Sequence, residues 1–397
     1  MTNPYRKHWT LHPDVVPLNH GSFGGAPRVV LDAQRRLQDE LEAEPLRFLA
    51  PERELEPKLD AVRTKLSAFL GCGFDDLAFV RNTTDGVNAV LRSFPFEEGD
   101  ELLVTNHGYG ACTNAARFVA ERTSAHVVVA DIPFPCPGPD AALAAIVGAF
   151  TEQTKLLLVD MITSPTALVF PVDRIVQAAH ARGIRVLVDA AHGPGMLPLR
   201  LDATGADYTT GNLHKWLCAP KAAGFLHVQP EHQGEVRPTV ISHAASKQRP
   251  HRSRFLAEFD WTGTFDPTPL LAVPTAIDFL ETLLPGGGIE AVYAANKALV
   301  LEGRRIISER LGLEPSAPAD MIGSIATLPL PDGPPPELGR TDALAQALFR
   351  KHRIEVPVVH WPESGRRWFR ISAASYNELA HYERLAEALA IELSPAD

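Results

Sequence analysis

The chain has 397 residues, 45% of them hydrophobic and 22% charged, with four cysteines and a formal net charge of −10. That much apolar material can bury a core large enough for two domains. The negative balance, with a pI near 5.8, argues against a general polyanion-binding surface and so against a nucleic-acid partner.

The first residues, M-T-N-P-Y-R-K-H-W, lack an apolar signal core. Short β-branched and apolar runs then recur at Leu77–Val80, Glu101–Thr105, His126–Ala130, Lys155–Met161, Arg185–Asp189 and Gly224–Val228. Segments with helical spacing, such as Asn114–Arg122 and Val172–Arg182, separate several of them. This is the β-α-β alternation of a mostly parallel, doubly wound α/β sheet. The longest apolar run, Ala141–Phe150, is too short to span a bilayer, so no membrane partner is expected. The wide spacing of Cys72, Cys112, Cys136 and Cys218 forms neither a disulfide framework nor a zinc pattern, and no metal site is expected. These features together suggest a cytoplasmic protein. The basic run Lys247–Arg254 (K-Q-R-P-H-R-S-R) reads as a solvated mobile loop.

Past Trp261 the texture changes. A proline-bearing stretch, Phe265–Pro274, leads into helical patterns at Thr275–Leu284 and Ile289–Leu311, a proline-rich loop at Leu328–Pro336, a segment Thr341–His352 and a final helix Glu378–Leu393. The expected division is a large α/β domain over residues 18–265 and a smaller α+β domain over 266–397 that includes the N-terminal segment 1–17.

Ligands of open α/β sheets bind outside the carboxyl ends of the strands, so residues just past those ends carry most weight. In R-N-T-T-D-G-V-N, Thr83, Thr84 and Gly86 open a helix whose hydroxyls and free backbone N–H groups suit a phosphate, with a plain threonine N-cap as the competing reading. In V-L-V-D-A-A-H-G-P-G, Asp189 ends an apolar strand, where a carboxylate is costly to desolvate without a partner; a helix cap is the alternative. Lys215, in T-G-N-L-H-K-W, sits among small and apolar residues, where a solvated lysine is out of place. A lysine and an acid converging on one crevice beside a phosphate-suited helix start meet the needs of pyridoxal 5'-phosphate. The lysine forms the Schiff base, the aspartate keeps the pyridine nitrogen protonated, and the helix start takes the phosphate.

With those phrases in view, the sequence resembles the class V, fold-type I pyridoxal-phosphate enzymes, in the branch with isopenicillin N epimerase, cysteine desulfurases and C–S lyases of ergothioneine and lincosamide biosynthesis. The similarity runs from L-N-H-G-S-F-G at Leu18 to Asn377. It implies a seven-stranded-type sheet, Lys215 as the Schiff-base lysine, Asp189 on the ring nitrogen and His192 near the ring hydroxyl. It also implies Thr83, Thr84, Asn212 and His214 on the phosphate side, and a homodimer with shared sites in which Thr264 reaches the neighbouring subunit's phosphate. Arg370, in R-W-F-R-I-S, matches the arginine that clamps a substrate α-carboxylate, and Asn19 and His20 are expected on the substrate side. In T-N-H-G-Y-G, either His107 or Tyr109 is expected to stack on the ring; His107 is favoured for stacking and Tyr109 as a proton-handling hydroxyl.

Two departures bear on the reaction. Desulfurases carry a reactive cysteine before the carboxylate-binding arginine, whereas no cysteine follows Cys218 here; Ser164 stands where they place an asparagine near the ring. The expected enzyme therefore removes the Cα proton of an amino acid bound as the external aldimine and is not a persulfide-forming desulfurase. C–S β-lysis of a cysteine S-conjugate or sulfoxide is the favoured outcome and epimerisation of the isopenicillin N type the alternative. A catalytically silent pyridoxal-phosphate-fold binding protein is the remote third.

Overall fold

The computed structural model describes residues 3–247, 249–337, 340–362 and 365–394. Its centre is a seven-stranded sheet: β1 (Leu77–Val80), β2 (Glu101–Thr105), β3 (His126–Ala130), β4 (Thr154–Asp160), β5 (Arg185–Asp189), β6 (Tyr208–Asn212) and β7 (Gly224–Val228), in the order β1-β7-β6-β5-β4-β2-β3. Only β7 runs antiparallel to its neighbours, so the sheet is mostly parallel.

The apolar runs follow from burial on both faces. Successive side chains of a strand point to opposite faces, and they enter different cores. Leu157, Val159, Val186 and Val188 join one cluster, while Leu156, Leu158 and Leu187 join the other. The strand missed in sequence, β6, reads Y-T-T-G-N; all five residues are buried, but their small polar side chains give no apolar run.

A second, antiparallel sheet of Ile325–Pro329 (β8), Val358–His360 (β9) and Arg367–Ser372 (β10), in the order β9-β10-β8, lies in the C-terminal part. The sequence pattern does not show these strands, because proline and charge interrupt their alternation. The N-terminal segment joins this part: Val16–Pro17 pairs with Ile354–Glu355, and the Ser372 N–H donates to the Leu18 carbonyl at 3.0 Å. The chain thereby delivers Asn19–Phe23 across the crevice at the ends of β5 and β6. No single helix among the described residues is long and apolar enough to cross a membrane.

The basic run is exposed at Lys247, His251 and Arg254, as expected of a solvated segment, but ion pairs tie it down at Arg249 and Arg252. The Arg252 side chain is 8% exposed and pairs with Asp60 at 2.7 Å and Asp260 at 2.5 Å, while Arg249 meets Glu52 and Glu56, each at 3.4 Å. Gln248 lies outside the described residues. Glu52, Glu56 and Asp60 stand almost two hundred residues upstream, where local charge density gives no sign of them, whereas Asp260 lies eight residues beyond Arg252. Asp260 also meets Arg63, whose side chain is fully buried and donates to the Leu77 carbonyl at 2.8 Å. Removing one partner of a buried ion pair leaves an uncompensated charge. Arg63→Ala is therefore expected to lower unfolding free energy by about 3–5 kcal/mol, measured by urea denaturation; a loss within error of zero would show that the pair contributes nothing.

Candidate active site

Three consecutive parallel strands end in a polar row. Asp160 of β4 is the register partner of Asp189 of β5, which in turn pairs with Thr210 of β6. Asp189 is buried and accepts from the Ala191 N–H at 2.9 Å and the Cys112 thiol at 3.3 Å. Burial pushes its carboxyl above the usual range. Asp160, also buried and taking a backbone hydrogen bond from Tyr109, is pushed well above that range by burial and then by Asp189 beside it. Two carboxyls in one dry site cannot both ionise without a cation. The same surroundings raise the Cys112 thiol well above its ordinary value, burial first and Asp189 next, so it is held as a thiol.

The cation at hand is Lys215, in the turn that follows β6. Burial, followed by Arg370, lowers its amine to about 8, against the pull of Asp189 and Asp160. Two glycines permit the close packing here. Gly24 (φ 67°) and Gly195 (φ 83°) adopt left-handed conformations, and a Cβ would lie 2.0 Å from the His214 carbonyl at Gly24 and 2.2 Å from the Trp216 backbone at Gly195. The glycines of L-N-H-G-S-F-G and H-G-P-G are thus fixed by the backbone of H-K-W. His192 places Nε2 3.1 Å from Lys215 Nζ, and His20 places Nε2 3.0 Å from the Lys215 carbonyl and Nδ1 2.8 Å from the Tyr376 hydroxyl. Burial keeps both imidazoles neutral, with His20 lowered to about 4.

At the ends of β1 and β6, the helix Thr83–Ser93 (α1) begins. Asn82 caps it by accepting the Asp85 N–H at 2.9 Å, so the plain threonine cap is not what forms. Asn212 accepts the Thr83 N–H at 2.9 Å, and the buried Thr83 hydroxyl has no partner among the described residues. Thr84 is half-buried in the same turn. His214 holds the Ala223 carbonyl at 3.1 Å and is lowered to about 4 by burial. Thr264 is exposed in a cleft with Arg81, Asp85 and Thr239.

Arg370, on β10, is buried and its guanidinium is lowered by desolvation to about 10. It donates to the Ser164 carbonyl, to Ser164 Oγ at 3.2 Å and to Ser22 Oγ at 3.4 Å; Ser22 in turn donates to Asn19 Oδ1 at 2.6 Å. Tyr109 N-caps the helix Gly110–Thr123 (α2), is 47% exposed, and its hydroxyl acts electrostatically on Arg370.

His107 is not brought to this crevice, which corrects the preference for it as the stacking ring. The side chain is fully enclosed, with Nδ1 2.6 Å from the Thr166 hydroxyl, Nε2 3.1 Å from the Ile132 carbonyl, and its ring against Trp361 at 4.4 Å. No face or edge is left open to a ligand. Asp160 and Cys112 were missed; Asp160 ends an apolar strand just as Asp189 does, and that pattern was the signal that identifies it.

Residues 25–333 match the family described as aminotransferase class-V. The chain belongs to the class-V aminotransferase family. It is 34% identical to an isopenicillin N epimerase of Amycolatopsis lactamdurans, over 97% of this chain and 96% of that one. It is 30% identical to a putative L-cysteine desulfhydrase 1 of Oryza sativa subsp. japonica, over 94% and 82% respectively. The solved complex of the cystine C–S lyase C-DES with cysteine persulfide has the same fold, with a TM-score of 0.83 and 19% identity over 96% of this chain and 99% of that one.

Family and fold imply pyridoxal 5'-phosphate, and the residues fit it. Thr83 offers an unused buried hydroxyl at a helix start, Asp189 a buried carboxyl short of a cationic partner, and Lys215 an amine of lowered basicity. Thr83→Val should weaken cofactor retention about tenfold or more, since a hydrogen bond to a charged group contributes about 1.5–3 kcal/mol. Equilibrium dialysis against free cofactor measures this, and unchanged retention would remove Thr83 from the phosphate side.

Proposed function

We propose that the enzyme is a C–S β-lyase acting on a cysteine S-conjugate or sulfoxide. Bound pyridoxal phosphate supplies the electron sink for charge developing at the substrate Cα. The observation that carries the reading is the buried amine of Lys215, lowered to about 8 and so able to act as a base near neutral pH. In the proposed reaction Lys215 takes the Cα proton. Arg370 forks onto the α-carboxylate, oriented by Ser164 and Ser22. Tyr109, half-exposed beside Arg370, gives a proton to the departing sulfur. With His107 sealed, Tyr109 is also the ring assigned to stack on the cofactor. Asn19 acts at the substrate side through Ser22, and His20 through the Lys215 backbone. β-Elimination needs one base and a leaving group, whereas inversion needs a second acid on the opposite face.

The 34% identity to an epimerase favours inversion as the second reading. No role as persulfide carrier falls to Cys112, Cys136 or Cys218, all of which are buried. Incubation with an S-alkyl cysteine, its sulfoxide and a non-eliminating L-amino acid in deuterated buffer separates the readings. A lyase releases ammonia and a keto acid in step with the sulfur product, and Tyr109→Phe slows it most for poor leaving groups. Inversion at Cα without ammonia from the preferred substrate would overturn the lyase.

We also place the active enzyme as a cytoplasmic homodimer. The exposed Thr264 faces the partner's phosphate, and the exposed Phe23, Val240 and Ile241 become covered. Sedimentation should then report twice the 43.2 kDa chain mass; a fully active monomer would sink the shared site.

A further inference from the structure

The tryptophan of H-K-W has no part in the chemistry above, yet its indole is tied to the lysine through a second ring. Trp216 Nε1 lies 3.1 Å from His192 Nδ1, and His192 Nε2 lies 3.1 Å from Lys215 Nζ. An indole N–H only donates, so His192 Nδ1 must accept. The ring is buried, and Lys215, Arg370 and His20 face it, so a second proton is disfavoured. Its one proton therefore sits on Nε2 and points at the lysine nitrogen. An ammonium has no lone pair to receive that N–H; a neutral amine has one.

We propose that Trp216 is a positioning residue that locks His192 in its Nε2–H tautomer, making His192 a fixed hydrogen-bond donor at Lys215 and never a base. The opposite tautomer would turn a lone pair toward Lys215 and hold it as the ammonium, which neither attacks a carbonyl carbon nor takes a proton. Trp216 is itself buried, and its ring packs at 4.8 Å on His20, which holds the Lys215 carbonyl. The indole, both imidazoles and the lysine backbone thus form one rigid unit. The inference rests on Lys215 as the reactive lysine and is independent of the bond that the substrate breaks.

Two measurements test it, neither of them turnover. In the cofactor-loaded enzyme with ¹⁵N-labelled histidine, long-range ¹⁵N–¹H NMR should show His192 protonated on Nε2 and bare on Nδ1. In the cofactor-stripped chain, labelling of Lys215 by trinitrobenzenesulfonate, mapped by peptide, should have its midpoint near pH 8. Besides His192, the groups facing Lys215 are Arg370, Asp189, Asp160, Cys112, His20 and His214, all unchanged in the variants used. Trp216→Phe keeps an aromatic ring but removes the donor, and should move the midpoint up by about one pH unit, the equivalent of one hydrogen bond. His192→Gln should hold the wild-type midpoint, because a carboxamide accepts from the indole and donates to the amine, whereas His192→Leu should raise it. A proton on Nδ1 in the wild type, or an unmoved midpoint in both Trp216→Phe and His192→Leu, would overturn the lock. If Trp216→Phe does not fold, the wild-type spectrum and the two His192 variants decide. A wrong lyase assignment would leave all these readouts intact and show only in the products.

Discussion

Everything at the crevice follows from the cost of placing charge where parallel strands end inside a protein. Asp160 and Asp189 stand side by side on β4 and β5, both buried, and among the described residues neither forms an ion pair, Lys215 acting on them only at longer range. Alone, the pair would stay largely protonated, a poor arrangement for an ordinary core and one that a hydrophobic replacement would improve. It makes sense only if a cationic group enters the site. The same dryness that raises the carboxyls lowers Lys215 and Arg370, so all four groups are shifted by burial as the first cause. Such clustering of shifted groups marks a working site more than a stabilising network.

Around this crevice the structure uses neutral hydrogen bonds to fix positions without adding charge. The enclosed His107 belongs to such a chain. The Leu168 N–H reaches the Thr163 hydroxyl at 2.8 Å, Thr163 lies 2.7 Å from Thr166, Thr166 lies 2.6 Å from His107 Nδ1, and His107 Nε2 lies 3.1 Å from the Ile132 carbonyl. With the imidazole neutral, lowered by burial to about 4, every donor in that series has one acceptor. The chain ties the loop bearing Ser164, and through it Arg370, to the loop bearing Tyr109. A residue that looked like a ring-stacking group in sequence is placed to join the two loops that face the substrate.

The fold was legible where burial on both faces forces continuous apolar runs, as in β4 and β5, and illegible where it does not. β6 is as buried as its neighbours, but Thr209, Thr210 and Gly211 hide it, and a Cβ at Gly211 would lie 2.5 Å from the Phe225 ring. Lys215 and Asp189 stood out because each is the wrong residue type for its local surroundings, and Thr83 because its hydroxyl opens a helix just past a strand end. Arg370 lies in a strand and was found only by resemblance. Local sequence could not separate His107 from Tyr109, since two residues apart in a loop they differ only in which one the tertiary contacts enclose. Arg252 and Arg249 failed for a related reason: Glu52, Glu56 and Asp60, which hold them, are distant in sequence.

The same division explains why relatives of one family bear names for different reactions. In the proposed reaction, removal of the Cα proton rests on Lys215, Asp189 and the helix start at Thr83, all set by strand ends that the whole fold holds in register. In the same proposal, the fate of the resulting charge rests on Tyr109 and on Arg370 as oriented by Ser164, and both Tyr109 and Ser164 sit on loops, at the β2–α2 turn and after β4. Loops tolerate change that strands do not. On the proposed roles, a switch between expelling sulfur and returning a proton requires no alteration of the sheet, only a different placement of one hydroxyl relative to Arg370. The chain's similarity to both an epimerase and a desulfhydrase is what a fixed first step and a loop-borne second step would leave in sequence.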